Sequence, residues 1–460
     1  MLDDSTICAI ASPAGIGAIS IIRLSGFNAF QIAEKIISKK DMFKKTEHGR
    51  FLYTPVTDFT GEIIDEVLCV KFYSPHSYTG ENSVEFYCHG SEYIQKEILS
   101  ALIQNGATLA KPGEFTKRAF LNGKMDLSQS EAVADLISSE TKESSRIAFR
   151  QLKGNISTEI KVLRNRMIEL LSLLELELDF SEEDVEFADR TEILSLIQKI
   201  SDKIQNLIDS FRYGNAIKKG IPVVIAGEPN VGKSSLLNIL LNEDRAIVSE
   251  IPGTTRDTIE EEFIIDGFKF RLIDTAGIRF ANDKIEKLGI ERTYRKITEA
   301  EIVIFMTEVF TDFEEIKDKI IKLKSYTDVK NKFILLIINK TDLIQKKIII
   351  PEIEFFDKII PISAKTGYNI ENLKIALLEY VQSLKPVSTE TIINSVRHLE
   401  ILQKAQNALN SAKYSFEQGA PSDLISQDIR EATYHLGEIT GQISTDEVLQ
   451  LIFEKFCIGK

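Results

Sequence analysis

IPVVIAGEPNVGKSSLLNILL, running from Ile221 to Leu241, reads as a buried strand, a tight loop and an amphipathic helix. Gly227 to Ser234 fits G-x-x-x-x-G-K-[ST], whose glycines let backbone N–H groups curl round phosphate oxygens at a helix N-terminus. Lys233 is then expected on the β- and γ-phosphates and Ser234 on a Mg²⁺ ion, with Asn230, Val231, Gly232 and Ser235 in the same contacting run.

Four further motifs follow in the order a guanine-nucleotide site requires. GTTRD supplies Thr255 as a second Mg²⁺ ligand, in a contacting stretch of Ser249, Glu250, Ile251, Pro252, Gly253 and Thr254. FRLIDTAG sets Asp274 at a strand end, followed by Thr275, Ala276 and Gly277, whose N–H can meet a γ-phosphate. FILLIINKTD ends a buried strand with Asn339, Lys340, Thr341 and Asp342. A carboxylate at Asp342 can accept two hydrogen bonds from the N1–H and N2–H₂ edge of guanine, a pair that adenine does not offer. PISAKTG gives Ser363, Ala364 and Lys365, a loop whose N–H can meet guanine O6. Each motif is weak alone; five in order, each at a strand end, specify GTP.

The pattern departs from a signalling GTPase at Ile278, the position after DTAG where such proteins often carry a water-orienting glutamine. An isoleucine cannot hold water, so another group must. Glu286 in NDKIEKLGIER and a cation near Asn230 are the local candidates, and an exposed helix charge is the plainer reading of Glu286.

Composition sets the frame. The chain has 460 residues, enough for two to four domains, and a net charge of −13 that argues against an all-over basic nucleic-acid coat. Cys8, Cys69, Cys88 and Cys457 show neither metal spacing nor a disulfide framework, which suits a reducing compartment. The N-terminus is acidic and no apolar run approaches the roughly 20 residues of a membrane helix, so a cytoplasmic protein without membrane contact is expected.

Residues 1–120 carry short apolar runs separated by Gly, Pro, Ser and Asn, an α+β pattern. Residues 121–217 turn helical, with stripes at Leu163, Met167, Leu170, Leu174 and Leu178 and at Ile193, Leu196, Ile200, Ile204, Leu207 and Phe211. The acidic DFSEEDVEFADR between them reads as a solvated loop. Strands alternate with helices over 218–382, the signature of a parallel sheet. Residues 383–460 are helical again, with a stripe of Leu399, Leu402, Ala405, Leu409, Ala412 and Phe416. An α/β P-loop G domain inserted into a discontinuous all-α domain is the simplest arrangement. YGNAIKKG and SLKPVS, near 215–220 and 383–387, carry linker-type residues and read as a hinge.

IRLSG, YTGENSVEFYCHG, KPGEFTKRAFLNGKMDLSQSEAVADLI, GEPNVGKSSLLN, AIVSEIPGTTRD, EKLGIER and the terminal FCIGK together resemble the MnmE (TrmE) family of tRNA-modification GTPases over essentially the whole chain. The resemblance implies an N-terminal tetrahydrofolate-binding domain that forms a homodimer, and a heterotetramer with the FAD-carrying partner MnmG (GidA). It implies attachment of an aminomethyl or carboxymethylaminomethyl group to C5 of the wobble uridine (position 34) of certain tRNAs, the one-carbon unit coming from 5-formyl- or methylene-tetrahydrofolate. The family's folate contacts fall on Arg23, Glu85, Lys124 and Lys460. Its K⁺ site falls on Asn230, Ser249, Ile251 and Thr254, and its water-orienting residue on Glu286. Two departures are Ser249, where the family more often has Thr, and Glu228, where it usually carries a basic residue.

Cys457 admits three readings. Cys-Ile-Gly-Lys fits a prenylation signal poorly, with Gly at its third place and Lys at its end. A buried structural thiol is the ordinary alternative. The resemblance makes Cys457 a catalytic thiol candidate, with Lys460 as a cation that could lower its pKa.

Overall fold

Alternation of apolar and polar residues in Gly17–Ser25 and Ser83–Gly90 makes these segments the middle of an antiparallel sheet with one buried face. The computed structural model describes residues 5–179, 190–243, 261–273, 297–311, 314–316, 321, 332–344, 355–387, 390–454, 456 and 458–459, without the side chains of 176–179, 190 and 242–243. The chain divides into two compact units.

The first unit comprises Met1–Ala134, Gln151–Asn165 and Thr433–Lys460. Its strands are β1 (Ile7–Ile10), β2 (Gly17–Ser25), β3 (Phe51–Thr57), β4 (Ile63–Phe72), β5 (Ser83–Gly90) and β6 (Thr108–Leu109), in the order β3-β4-β5-β2-β1-β6. Helices α1 (Ala29–Ile36) and α3 (Glu92–Gln104) cover one face; α2 (Lys40–Lys45) is a short connector. Ile22, Leu24, Val84, Phe86 and Cys88 point into that core, so Arg23, Glu85 and Tyr87 point to the other face. Each fully buried side chain of that size contributes about 1.5–3 kcal/mol. After α4 (Glu114–Leu121) and α5 (Leu127–Ile137), α13 (Asp446–Phe453) closes a small cluster of Leu127, Leu449, Ile452, Phe453 and Phe456.

The second unit comprises Asp135–Arg150 and Arg166–Ala432. Its sheet has the order β12-β11-β10-β7-β9-β8, from β7 (Ile221–Gly227), β8 (Glu261–Ile265), β9 (Phe268–Leu272), β10 (Ile302–Glu308), β11 (Phe333–Asn339) and β12 (Lys358–Pro361). All pairs are parallel except the β8–β9 hairpin. Helices α9 (Lys233–Glu243) and α10 (Ile370–Ser383) pack on it. The helical elements are α6 (Lys142–Leu152), α7 (Asn155–Asp179), α8 (Arg190–Lys219), α11 (Val396–Glu417) and α12 (Ser422–Thr440), some of which continue into the first unit.

The stripes hold with small rotations. Leu163, Met167, Leu170 and Leu174 are buried; the side chain of Leu178 and residues 180–189 of the acidic stretch lie outside the description. In α8, Ile197 is buried where Leu196 is half-buried, and Tyr213 where Phe211 is half-buried. The linker reading of 215–220 is corrected. Asn215 to Lys219 are the last residues of α8, because Ala216 and Ile217 bury in the α/β core and outweigh the linker-type composition.

Candidate functional site

The phosphate loop joins β7 to α9, and three of its residues adopt positive φ: Gly227, Asn230 and Gly232. Asparagine is one of the few side chains that tolerates this region. Gly232 has a second constraint: a Cβ there would stand 2.1 Å from Nδ2 of Asn339. Lys233 Nζ donates to the carbonyls of Gly227 and Glu228, both at 2.7 Å, holding the loop curled. Burial pushes the Lys233 ammonium below its ordinary pKa, and the Glu228 carboxylate pulls it partly back. Ser234 and Ser235 are exposed in the first turn of α9, where a hydroxyl can reach a cation beside a phosphate.

Strands β10, β11 and β12 end beside this loop, which brings the distant motifs together. Asn339 is buried and works as a bridge. Its Nδ2 donates to Val231 O at 2.7 Å and its Oδ1 accepts from Ala364 N at 2.9 Å, so one amide fixes the phosphate loop and the Ser363–Lys365 loop together. Lys340 has φ +66° and pairs with Glu308. Asp342 is exposed; its Oδ1 accepts from Ser363 Oγ at 2.7 Å, and that bond chiefly holds the carboxyl below the usual aspartate pKa. Thr341 N donates to Ile362 O at 3.2 Å, and Lys365 is exposed on the loop above. The Ser363 and Ala364 amides are already bonded, to Tyr368 O and to Asn339 Oδ1, which leaves the ionised carboxylate of Asp342 as the acceptor suited to the N–H edge of guanine.

Among the residues named for metal ions, Asn230 and Ser234 are described. Ser249, Glu250, Ile251, Pro252, Gly253, Thr254, Thr255, Asp274, Thr275, Ala276, Gly277 and Glu286 lie outside the described residues, as do Cys457 and Lys460. No cluster of three metal-type side chains occurs among the described residues.

A second constellation sits on the first unit's sheet, on the face away from α1 and α3. Arg23 and Glu85 are cross-strand neighbours, and Arg23 Nε donates to Glu85 Oε1 at 2.9 Å. Tyr87 Oη donates to Glu85 Oε2 at 3.0 Å. The Arg23 guanidinium lies 5.1 Å from the ring centre of Tyr78 and 5.6 Å from that of Phe115. Both carboxylate oxygens keep a lone pair, so the set fits a flat heteroaromatic with N–H donors and an anionic tail. Lys124 is exposed and donates to Pro75 O at 2.9 Å. The loop that bears Tyr78 is held by Arg118, a signal missed at sequence level. Its buried guanidinium reaches Ser5 O, Glu81 Oε1 and Glu114 Oε1 at 2.9, 3.1 and 2.9 Å.

The C-terminal segment approaches the same sheet. Phe456 is buried beside Phe453, and a Cβ on Gly459 would stand 2.0 Å from Ile10 O. Ile10 pairs with Ile22, and its neighbour Ala9 pairs with Arg23. The described residues flanking Cys457 therefore lead to the strand end next to the Arg23–Glu85 pair.

Two family descriptions match the chain: "GTP-binding protein TrmE N-terminus" over residues 6–124 and "MnmE helical domain" over residues 127–457. A Flavobacterium psychrophilum protein named tRNA modification GTPase MnmE is 48% identical over 100% of both chains. One of the same name from Cytophaga hutchinsonii is 49% identical over 99% of this chain and 98% of its own. Among solved structures, Aquifex aeolicus Era bound to GDP and aluminium fluoride is 28% identical over 41% of this chain and 66% of its own, with a TM-score of 0.28.

Proposed function

Because the chain belongs to the MnmE family of tRNA modification GTPases, we propose that it hydrolyses GTP in order to modify C5 of the wobble uridine (position 34) of certain tRNAs. The bridge made by Asn339 carries the nucleotide half of this reading: one buried amide sets the phosphate loop against the loop that faces the base. Gly232 and Lys233 cradle the phosphates, Asp342 selects guanine, and the bond from Ser363 orients the Asp342 carboxylate.

Ser234 and Thr255 would hold Mg²⁺, which neutralises phosphate charge when bound. Asn230, Ser249, Ile251 and Thr254 would hold K⁺, which spreads charge in the place of an arginine finger. Glu286 would orient the attacking water that Ile278 cannot. Arg23, Glu85 and Lys124, with Lys460 from the terminus, would hold 5-formyl- or methylene-tetrahydrofolate, the supplier of the one-carbon unit. The Glu85 carboxylate suits a 2-amino-4-oxo edge and the cations suit a glutamate tail. Cys457 would stand beside this site as its thiol. The product is an aminomethyl or carboxymethylaminomethyl group, made with the FAD-carrying MnmG partner by a homodimer of this chain in the cytoplasm. Among the described residues no helix is long and apolar enough to cross a membrane.

One experiment has two arms. Mass spectrometry of tRNA from cells lacking the chain should find the wobble uridine without its C5 group, and the wild-type gene should restore it. GTP turnover by the purified chain should be faster in potassium than in sodium. Unchanged uridine would sink the tRNA reading, and equal turnover would remove the cation at Asn230.

A further inference from the structure

Helix α8 belongs to two cores at once. Ile193, Ile197, Ile200, Ile204 and Leu207 are buried along its first part, where it packs on α11, and Lys413 Nζ of α11 donates to Gln198 Oε1 at 2.7 Å. Tyr213, Ala216 and Ile217 in its last turns join the core of the α/β sheet. The helix has 30 residues and runs on into β7 after Gly220. At about 1.5 Å per residue it is a rod of roughly 45 Å with one end in each core.

The second crossing of the chain is fastened to the same rod. Ser210 Oγ accepts from Ile393 N at 3.0 Å, and one turn later a Cβ on Gly214 would stand 2.1 Å from Ile393 O. Asp135 of α5 completes a clamp, accepting from Lys218 Nζ at 2.8 Å and from Asn394 Nδ2 at 3.1 Å. Both chain crossings are thus fastened, the first at Gly214 and Lys218 and the second at Ile393 and Asn394.

One polar seam connects this rod to the sheet. Arg212 Nη2 of α8 donates to Tyr380 Oη of α10 at 3.0 Å, and Tyr380 Oη donates to Glu301 Oε2 at 2.8 Å. Arg212 Nε lies 3.8 Å from that same oxygen. Glu301 immediately precedes β10, its N–H bonds Pro222 O of β7, and its carbonyl accepts from Phe333 N of β11. The Tyr380 ring stacks on Phe333, centroids 5.0 Å apart. The seam therefore touches three neighbouring strands at the edge of the sheet opposite to the nucleotide loops, since those loops follow the strands' carboxyl ends.

We propose that α8 carries a nucleotide-dependent change in the sheet to the helical bundle, and that Arg212 and Tyr380 are positioning residues for this coupling. Coupling needs an element whose arrangement both sites can bias, and a rod with one end in each core is placed to be that element. The proposal rests on the tRNA-modification reading and adds the route by which hydrolysis serves it.

The test compares GTP turnover by the full chain with wobble-uridine modification in cells whose only copy is the variant. Tyr380→Phe removes one hydroxyl and keeps the ring stacked. It should leave turnover within about two-fold and lower modification by roughly ten-fold, the range of ordinary coupling between sites. Arg212 is half-exposed, so Arg212→Ala should fold; it should lose modification in the same way, with partial recovery in Arg212→Lys. Full modification in Tyr380→Phe and Arg212→Ala overturns the coupling. So does a parallel fall in turnover, which would place the seam in service of the nucleotide site itself. If the wild-type gene fails to restore modification, the tRNA reading fails first.

Discussion

Asp342 is the single side chain on which the proposed choice of guanine rests. Its carboxylate is exposed, accepts from Ser363, and titrates below the ordinary aspartate value of 3.8 because of that bond. Asp342→Asn replaces the two lone pairs proposed to meet the guanine N–H groups with an amide that matches one of them poorly. Loss of two charge-assisted hydrogen bonds should lower GTP affinity roughly 100-fold, while an analogue with an oxygen at C2 should gain relative to GTP. Titration calorimetry with the two nucleotides decides it; an unchanged preference for GTP would remove Asp342 from base recognition. The sign of the pH effect follows. Guanine recognition is present while Asp342 is ionised and is lost as pH falls through its depressed pKa, so Ser363→Ala should move that loss to higher pH. The motif around Asp342 was legible in sequence because its residues are local. The Asn339 role was not, since the donors and acceptors it joins, Val231 and Ala364, lie 108 and 25 residues away.

Elements carry what single residues cannot, and the C-terminal segment is the clearest case. Helix α13 seats Leu449, Ile452 and Phe453 against Leu127, and Gly459 then meets the carbonyl of Ile10 with φ +97°. A non-glycine residue there meets both a clash and a backbone region costing about 1–2 kcal/mol. Gly459→Ala should release the last residues while leaving the fold intact, because frayed ends rarely affect global stability. Wobble-uridine modification should fall several-fold with GTP turnover and thermal midpoint unchanged. Retained modification would show that docking of this segment is not needed. The three cysteines of the sheet core form a contrast: burial pushes Cys8 to about 12 and Cys88 to about 11, and raises Cys69 further, so none supplies a thiolate near neutral pH. Element type was readable from periodicity, as the stripe of α11 illustrates: Leu402, Ala405, Leu409, Ala412 and Phe416 are buried, while Leu399 is half-buried and its neighbour His398 takes the buried place. Where an element ends was less readable. Composition made 215–220 a linker, and only the burial of Ala216 and Ile217 in a core built from distant strands keeps those residues helical.

At the scale of the whole molecule, charge and exposed apolar surface oppose each other. The face of the first unit's sheet that carries Arg23 and Glu85 also carries a row running Tyr53, Leu68, Tyr87 and Ile21 across β3, β4, β5 and β2. Phe51 is 61% exposed on this face and Leu68 43%, an apolar row that a second copy of the chain would cover. Each copy brings a net charge of −13, so two copies repel through solvent. A dimer held by this face is held by apolar burial against electrostatic repulsion, and salt screens the repulsion while leaving the burial intact. Association of the wild-type chain should therefore tighten or hold as salt rises from about 0.05 to about 0.5 M, a span over which the Debye length shrinks roughly three-fold. An interface built on ion pairs would do the reverse. Phe51→Asp with Leu68→Asp adds charge to the row and should give monomers in sedimentation at concentrations where the proposed dimer of the wild type forms. The same double variant should weaken formyltetrahydrofolate binding, because Phe51 packs on Tyr87, the residue that donates to Glu85, with ring centroids 5.6 Å apart. Dimers that persist in the variant, or that dissociate as salt is raised, would place the interface elsewhere.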